Sequence, residues 1–159
     1  MVRRVDRDTA LARIDADASE GCVPCALARA RDPLMASTHA VATLSRFPVR
    51  WGHVLVVFRE HWVTLEEVSP AAWADATALA HAAGRAVERA LTPARCYVAS
   101  LGTSEPDLPM TFPHLHFHVI PVGEPGARPA EVLTWRDGVY EGTAEEWDAL
   151  RAALLAAWP

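Results

Sequence analysis

The sequence predicts an α+β fold, an antiparallel sheet with one long helix and a C-terminal helix packed on it. Three observations carry this. Apolar runs with strand periodicity stand at residues 38–47, 53–58, 96–101 and 114–121. One long alanine-rich stretch follows Ser69-Pro70, a serine N-cap with proline at the first helical position. Thr143 with Glu146 makes a capping box ahead of a second helical stretch.

Taken in order, residues 3–19 read as a helical lead with Val5, Leu11 and Ile14 on an apolar stripe. Cys22-Val-Pro-Cys25 follows, then a short Ala/Arg segment that stops at Pro33. From Thr38 to Phe47, Val41, Thr43 and Ser45 alternate against Ala42, Leu44 and Arg46, a strand pattern. Pro48 to Gly52 is a turn, and His53 to Phe58 is a more continuously apolar strand. The short connection makes these two an antiparallel pair. The long helix carries Trp73, Leu79, Ala83 and Val87 to about Leu91, before Pro93. Cys96 to Leu101 reads as a third strand, with Cys96 a small core residue. Residues 102–113 hold one glycine and three prolines and read as a loop. His114 to Pro121 alternates strictly. Asp137-Gly138, between Trp135 and Tyr140, predicts a hairpin across residues 132–141. Trp135, Arg136 and Tyr140 then serve as cross-strand packing or as a pocket wall. The last helix carries Trp147, Leu150 and Leu154, with Trp158 as an apolar anchor. With no repeat and no dividing linker, residues 1–159 are expected to form a single domain with its core at 38–121.

Composition narrows the function. At 51% hydrophobic and 22% charged residues the chain is not disordered. The net charge of −5 argues against a nucleic-acid polymer as partner, which needs a basic face. All 15 basic residues are arginine. Without lysine there is no Walker A loop, no Schiff-base nucleophile and no lysine general base. The odd number of cysteines (three) fits a reduced, cytoplasmic protein, and no signal peptide or membrane span is expected.

His114-Leu-His116-Phe-His118-Val-Ile120 dominates the chemistry. On a strand the three histidines share one face, while Leu115, Phe117 and Val119 share the other. The apolar face supplies core. Imidazoles about 7 Å apart on the second face need solvent or polar partners. Two functional readings follow: a metal cage, or an imidazole nucleophile with imidazole helpers. A cupin-like metal enzyme would use a His-x-His pair and a nearby glutamate, for which Glu124 lies too far along. Cys22-x-x-Cys25 by itself suits zinc, redox chemistry or neither.

The histidine segment resembles the signature of the histidine triad (HIT) superfamily, His-φ-His-φ-His-φ-φ with φ apolar. Upstream, Phe47-Pro48-Val-Arg-Trp-Gly52-His53-Val-Leu-Val resembles the family's Pro-x-x-x-Gly-His-x-Leu-φ segment. Ser100-Leu-Gly102 stands where the family usually has Asn-x-Gly. The three matches fall in the family's order and agree with the strand–helix–strand reading.

The resemblance implies a HIT-like sheet and a nucleotide hydrolase or nucleotidyltransferase. In it His116 attacks the α-phosphorus of a nucleotide conjugate or dinucleoside polyphosphate and forms a nucleotidyl-histidine. His118 and His53 then face the phosphate, and Ser45 stands where relatives carry an Asp or Asn that bonds the ribose. Ser100 is a further candidate substrate-binding residue, and since Met110 occupies the position of a phosphate-contacting Gln, Thr103, Ser104 or Thr111 would replace its hydrogen bonds. The resemblance also implies a structural zinc held by Cys22, Cys25, His61 and His114, which would tie the segment 20–33 to the triad strand; no organic cofactor is implied. A two-fold homodimer through the long helix and one sheet edge is the family expectation. The alternative from another class is a non-catalytic nucleotide-binding or zinc-stabilised interaction module, favoured by the missing Gln. His39 and His81 match no motif, and His81 is expected to be solvated. With no lysine, positive potential for a polyphosphate must come locally from the triad strand.

Overall fold

The computed structural model describes residues 1–101 and 112–159. Its centre is a five-stranded antiparallel sheet formed by β2 (Met35–Ala36), β3 (Ala40–Leu44), β4 (Val54–Phe58), β5 (Arg95–Ala99) and β6 (His116–Val122), in the order β2-β3-β4-β6-β5. The sheet is open, which removes the cupin-like barrel from consideration.

Register decides which side chains meet. Val56 of β4 pairs with Ala42 of β3 and Phe117 of β6, and Val54 pairs with Val119. Side chains alternate across a strand, so Val54, Val56, Phe58, Phe117 and Val119 share one face. That face is covered by α3 (Pro70–Leu91), which buries Ala72, Ala76, Leu79, Ala80, Ala83 and Val87 against it. The many alanines let the helix axis lie close to the sheet. His116 pairs with Val57 and His118 with Leu55, so the histidines lie on the opposite face. There α1 (Arg7–Ser19) and α2 (Val23–Ala28) give cover, with Ala28 and Leu27 packing on Leu55 and Val57.

The helix signals read correctly. The Ser69 hydroxyl accepts the Ala72 N–H at 3.2 Å, and α3 ends at Thr92 in the left-handed region, φ 46°. The Thr143–Glu146 capping box opens α5 (Ala144–Ala156). Leu150 and Leu154 of α5 enter the main core, flanked by the partly buried Trp147 and Trp158. Cys96 packs partly buried against the same core.

Two expectations need correction. The N-terminal lead is not helical from residue 3: Arg3–Val5 form β1, and Asp6 caps α1 by accepting the Thr9 N–H at 3.0 Å. Val5 fits the helical stripe by spacing, but the Asp6 cap sets the helix start beyond it. The segment 132–141 is not a hairpin either. Pro129 opens α4 (Pro129–Leu133), and β7 (Val139–Glu141) pairs antiparallel with β1, Val5 opposite Val139. Asp137-Gly138 does form a turn, with Gly138 at φ 82° and a Cβ there blocked by the Val5 backbone. The turn signal was sound; the strand partner lay at the other end of the chain. Among the described residues no helix is long and apolar enough to cross a membrane.

Candidate functional site

His116 and His118 reach the α1/α2 face from β6, and His53 reaches it from the turn before β4. Gly52 makes that turn possible, at φ 93° and with Leu91 where a Cβ would be. His53, His114, His116 and His118 are all buried, at 0, 1, 5 and 6% exposure. Polar partners rather than solvent satisfy them.

Those partners also set the tautomers. His116 Nδ1 lies 2.7 Å from the His114 carbonyl. A carbonyl only accepts, so Nδ1 carries the proton and Nε2 keeps its lone pair. The Val49 N–H donates to His53 Nδ1 at 3.4 Å, which leaves the His53 proton on Nε2. His53 Nε2–H then donates to His118 Nδ1 at 3.0 Å, and His118 carries its proton on Nε2. A backbone amide thus sets two imidazoles in series.

Burial also fixes their charge. Desolvation lowers the pKa of His53 to about 3, with the His116 charge adding to it. It lowers His116, and it holds His118 well below the usual histidine value, helped by His53 and His116. The triad is therefore neutral near pH 7. This corrects the expectation of a positive potential on the triad strand: these groups offer aligned N–H dipoles and a lone pair.

A cleft runs over this face. His116, His118, Ser45, Phe47, Phe112 and Trp135 line it, with Ile14 of α1 and Val23, Pro24 and Leu27 of α2 opposite. Ser45 is buried; its N–H donates to the His53 carbonyl at 2.9 Å and its hydroxyl accepts the Phe47 N–H at 3.2 Å. Among the described residues the Ser45 O–H proton has no acceptor. Ser100 is exposed just beyond Ala99, the sheet partner of His118, and does not line the cleft. Thr103, Ser104, Met110 and Thr111 lie outside the described residues.

Cys22, Cys25, His61 and His114 converge beside the cleft, their ligand atoms all within 4.8 Å of one another. His114 Nδ1 is 3.4 Å from the Cys22 sulfur and 3.3 Å from that of Cys25, and His61 Nδ1 is 3.1 Å from Cys25. Ligands around a tetrahedral zinc, at about 2.0–2.3 Å from it, sit roughly 3.3–3.8 Å apart. His114 Nε2 donates to the Phe58 carbonyl at 2.9 Å, which turns the Nδ1 lone pair towards the thiols. Burial pushes the Cys22 thiol up to about 11 and His114 down to about 4. The donor set and spacing fit a closed structural zinc.

Other candidates fall away. Glu124 pairs with Arg50 at 3.3 Å, so it serves no metal cage with the triad. Arg136 is exposed and meets Glu131 and Asp137, while Tyr140 meets Arg4. His81 is exposed as expected, and the His39 backbone N–H caps onto Asp75. Trp135 lines the cleft, in keeping with the pocket-wall reading, whereas the sequence does not single out Ile14, Val23, Pro24, Leu27 and Phe112 for the site. No local pattern marks them, since each reaches the cleft through tertiary packing.

A five-stranded antiparallel sheet with a histidine strand beside a Gly-His turn defines the histidine triad class. The HIT domain family model matches residues 31–124, more than half of the chain, and the chain belongs to this family. No curated protein matches it. Among solved structures it is similar to a zinc-bound histidine triad family protein from Mycobacterium smegmatis, with 25% identity and a TM-score of 0.61 over 87% of this chain and 96% of the other. A hypothetical histidine triad nucleotide-binding protein from Sulfolobus tokodaii is 21% identical, TM-score 0.65, over 86% of this chain and 91% of that one. A Plasmodium falciparum diadenosine triphosphate hydrolase is 12% identical, TM-score 0.57, over 78% and 74%. The last two likenesses show the fold alone.

Proposed function

We propose that this protein is a nucleotide hydrolase or nucleotidyltransferase that cleaves nucleotide conjugates or dinucleoside polyphosphates at the α-phosphate, with His116 as covalent nucleophile. The observation that carries this is the hydrogen bond from His116 Nδ1 to the His114 carbonyl. It leaves a neutral, buried imidazole with its Nε2 lone pair free on a ring that lines the cleft.

In the first step His116 Nε2 forms a P–N bond and the bond to the leaving group breaks, its electron pair departing with that group. The imidazolium so formed keeps its Nδ1–H on the His114 carbonyl, which stabilises the charge. Water then attacks phosphorus, breaks the P–N bond, releases the monophosphate and restores the Nε2 lone pair. An alcohol or phosphate in place of water makes the reaction a transfer. His118, its proton on Nε2, donates to the phosphate oxygens, and His53 keeps it in that form. Ser45 offers a hydroxyl to the ribose, with Thr103 and Thr111 further candidates for contacts to the substrate. The apolar wall of α1 and α2 suits a nucleobase.

Cys22, Cys25, His61 and His114 would hold zinc, which supplies a crosslink between α2 and the triad strand and no open coordination position. A reduced, cytoplasmic setting suits the free thiols. A homodimer through the β5 edge and α3 completes the proposal, supported by Val98 and Leu101, which are 51% and 37% exposed at that edge.

His116→Asn tests the reading. Turnover of adenosine 5′-phosphoramidate should fall by at least about a thousandfold while AMP still binds. Tight AMP binding by the unaltered protein with no product from any conjugate would favour the non-catalytic nucleotide-binding module instead.

A further inference from the structure

Trp135 lies beyond the region 31–124 that matches the family, yet it reaches the histidine pair. It follows α4 at φ 51°, in the left-handed region where a bulky side chain is seldom found. Such backbone geometry persists where the surroundings over-determine it, and it gathers at functional sites. Here the surroundings do so. The indole Nε1–H donates to the Phe47 carbonyl at 3.1 Å, and Val5, Val49, Ile120, Val132 and Val139 pack in the same cluster.

The other side of the indole meets the site. Its ring stands edge-to-face to His118, centroids 5.3 Å apart and planes at 68°, and lies 6.0 Å from His53. Along the sheet, His118 has Leu55 and Ala99 as neighbours, and Ala99 has no side chain long enough to brace a ring. Besides Leu55, other rings stand against the His118 ring: His53, His116 at 4.6 Å, and Trp135.

We infer that Trp135 is a positioning residue for His118. Its indole, pinned by the Phe47 carbonyl, holds the His118 ring where Nδ1 accepts from His53 and Nε2 carries the proton. It also keeps water from competing for the His53–His118 hydrogen bond. The catalytic consequence rests on the role proposed above for His118; the structural one does not.

Nitrogen-15 NMR of histidine-labelled protein tests this without substrate. The unaltered protein should show His118 as one neutral tautomer, protonated on Nε2. Trp135→Leu should show both tautomers in exchange, and Trp135→Phe, which keeps an aromatic ring, should restore the single one. Trp135→Met takes the place of the leucine variant if that one does not fold. With adenosine 5′-phosphoramidate, Trp135→Leu should lower kcat/KM by about tenfold or more. It should cost nothing further in a His118→Gln background, because it acts through that ring. An unchanged His118 tautomer in the leucine and methionine variants would overturn the inference. So would an equal fold-loss in both backgrounds, which marks a residue that only lines the cleft. Absence of turnover in every form counts against the proposed function, while the tautomer still decides the role of Trp135.

Discussion

His53 is fully buried, and its imidazole is held neutral by burial, with a pKa of about 3 against the ordinary 6.5. The unfolded chain therefore binds more protons than the native one between those values. This residue's contribution to stability is complete above pH 6.5 and is lost progressively as pH falls towards 3. His118 and His116 act in the same direction, their values also lowered by burial. Urea denaturation midpoints should therefore drop between pH 7.5 and pH 5, and less steeply in His53→Gln than in the unaltered protein. Parallel slopes for the two proteins would mean that His53 titrates normally in the fold. At this scale the sequence was legible for the histidines and blind to their charge. Alternation puts His116 and His118 on one face, but only burial beneath α1 and α2 makes them neutral.

At the scale of elements, α2 joins the two halves of the site. Cys22 caps this short helix by accepting the Cys25 N–H at 3.4 Å, and Val23, Pro24 and Leu27 between and beyond them line the cleft. His114, the member of the Cys2His2 group next to the triad strand, supplies the carbonyl that orients His116. Zinc bound to this group should therefore stabilise the fold and tighten nucleotide binding together. Purified protein should contain about one zinc per chain by metal analysis, as a closed structural site requires. Cys22→Ser should lose it, melt about 5 °C lower or more, and bind AMP more weakly. A Cys22→Ser protein with the same melting point and the same AMP affinity would separate the cluster from the cleft.

The elements also show where sequence signals stop. Ser69-Pro70 and the Thr143–Glu146 box set their helices correctly because capping is local chemistry. The β1–β7 pair joins residues 3–5 to residues 139–141, and no local pattern encodes a pairing over that separation. For Trp135 a place in a pocket wall is legible, but not its position against His118. Its place beside His118 depends on α4 and on the turn at Gly138, and the local signal there had been assigned to a hairpin.

On the scale of the whole molecule, the sheet has one apolar face under the alanine-rich α3 and one histidine face under α1 and α2. The alternation of β6 serves both, since Phe117 and Val119 enter the core while His116 and His118 enter the cleft. The edge strand β5 stays partly open, with Val98 exposed. An apolar edge of this kind is a natural pairing surface. If two copies join there, Val98→Asp should shift the protein from dimer to monomer in light scattering at micromolar concentration. A monomer before the substitution, or an unchanged dimer after it, would place the interface elsewhere or remove it. The absence of lysine takes on its meaning at this scale too. If the proposed substrate binds here, its phosphates meet neutral imidazoles, hydroxyls and Arg46 at the cleft, on a chain of net charge −5.

The proposed catalysis turns on a covalent bond between phosphorus and one histidine. Protein quenched within milliseconds of mixing with an adenosine 5′-phosphoramidate, then digested without acid, can be mapped by mass spectrometry. The prediction is an adenylyl group on His116, absent from His116→Asn and discharged by water as AMP appears. Product formed at full rate with no adduct at any time, or with the adduct on His118 or His53, would contradict it.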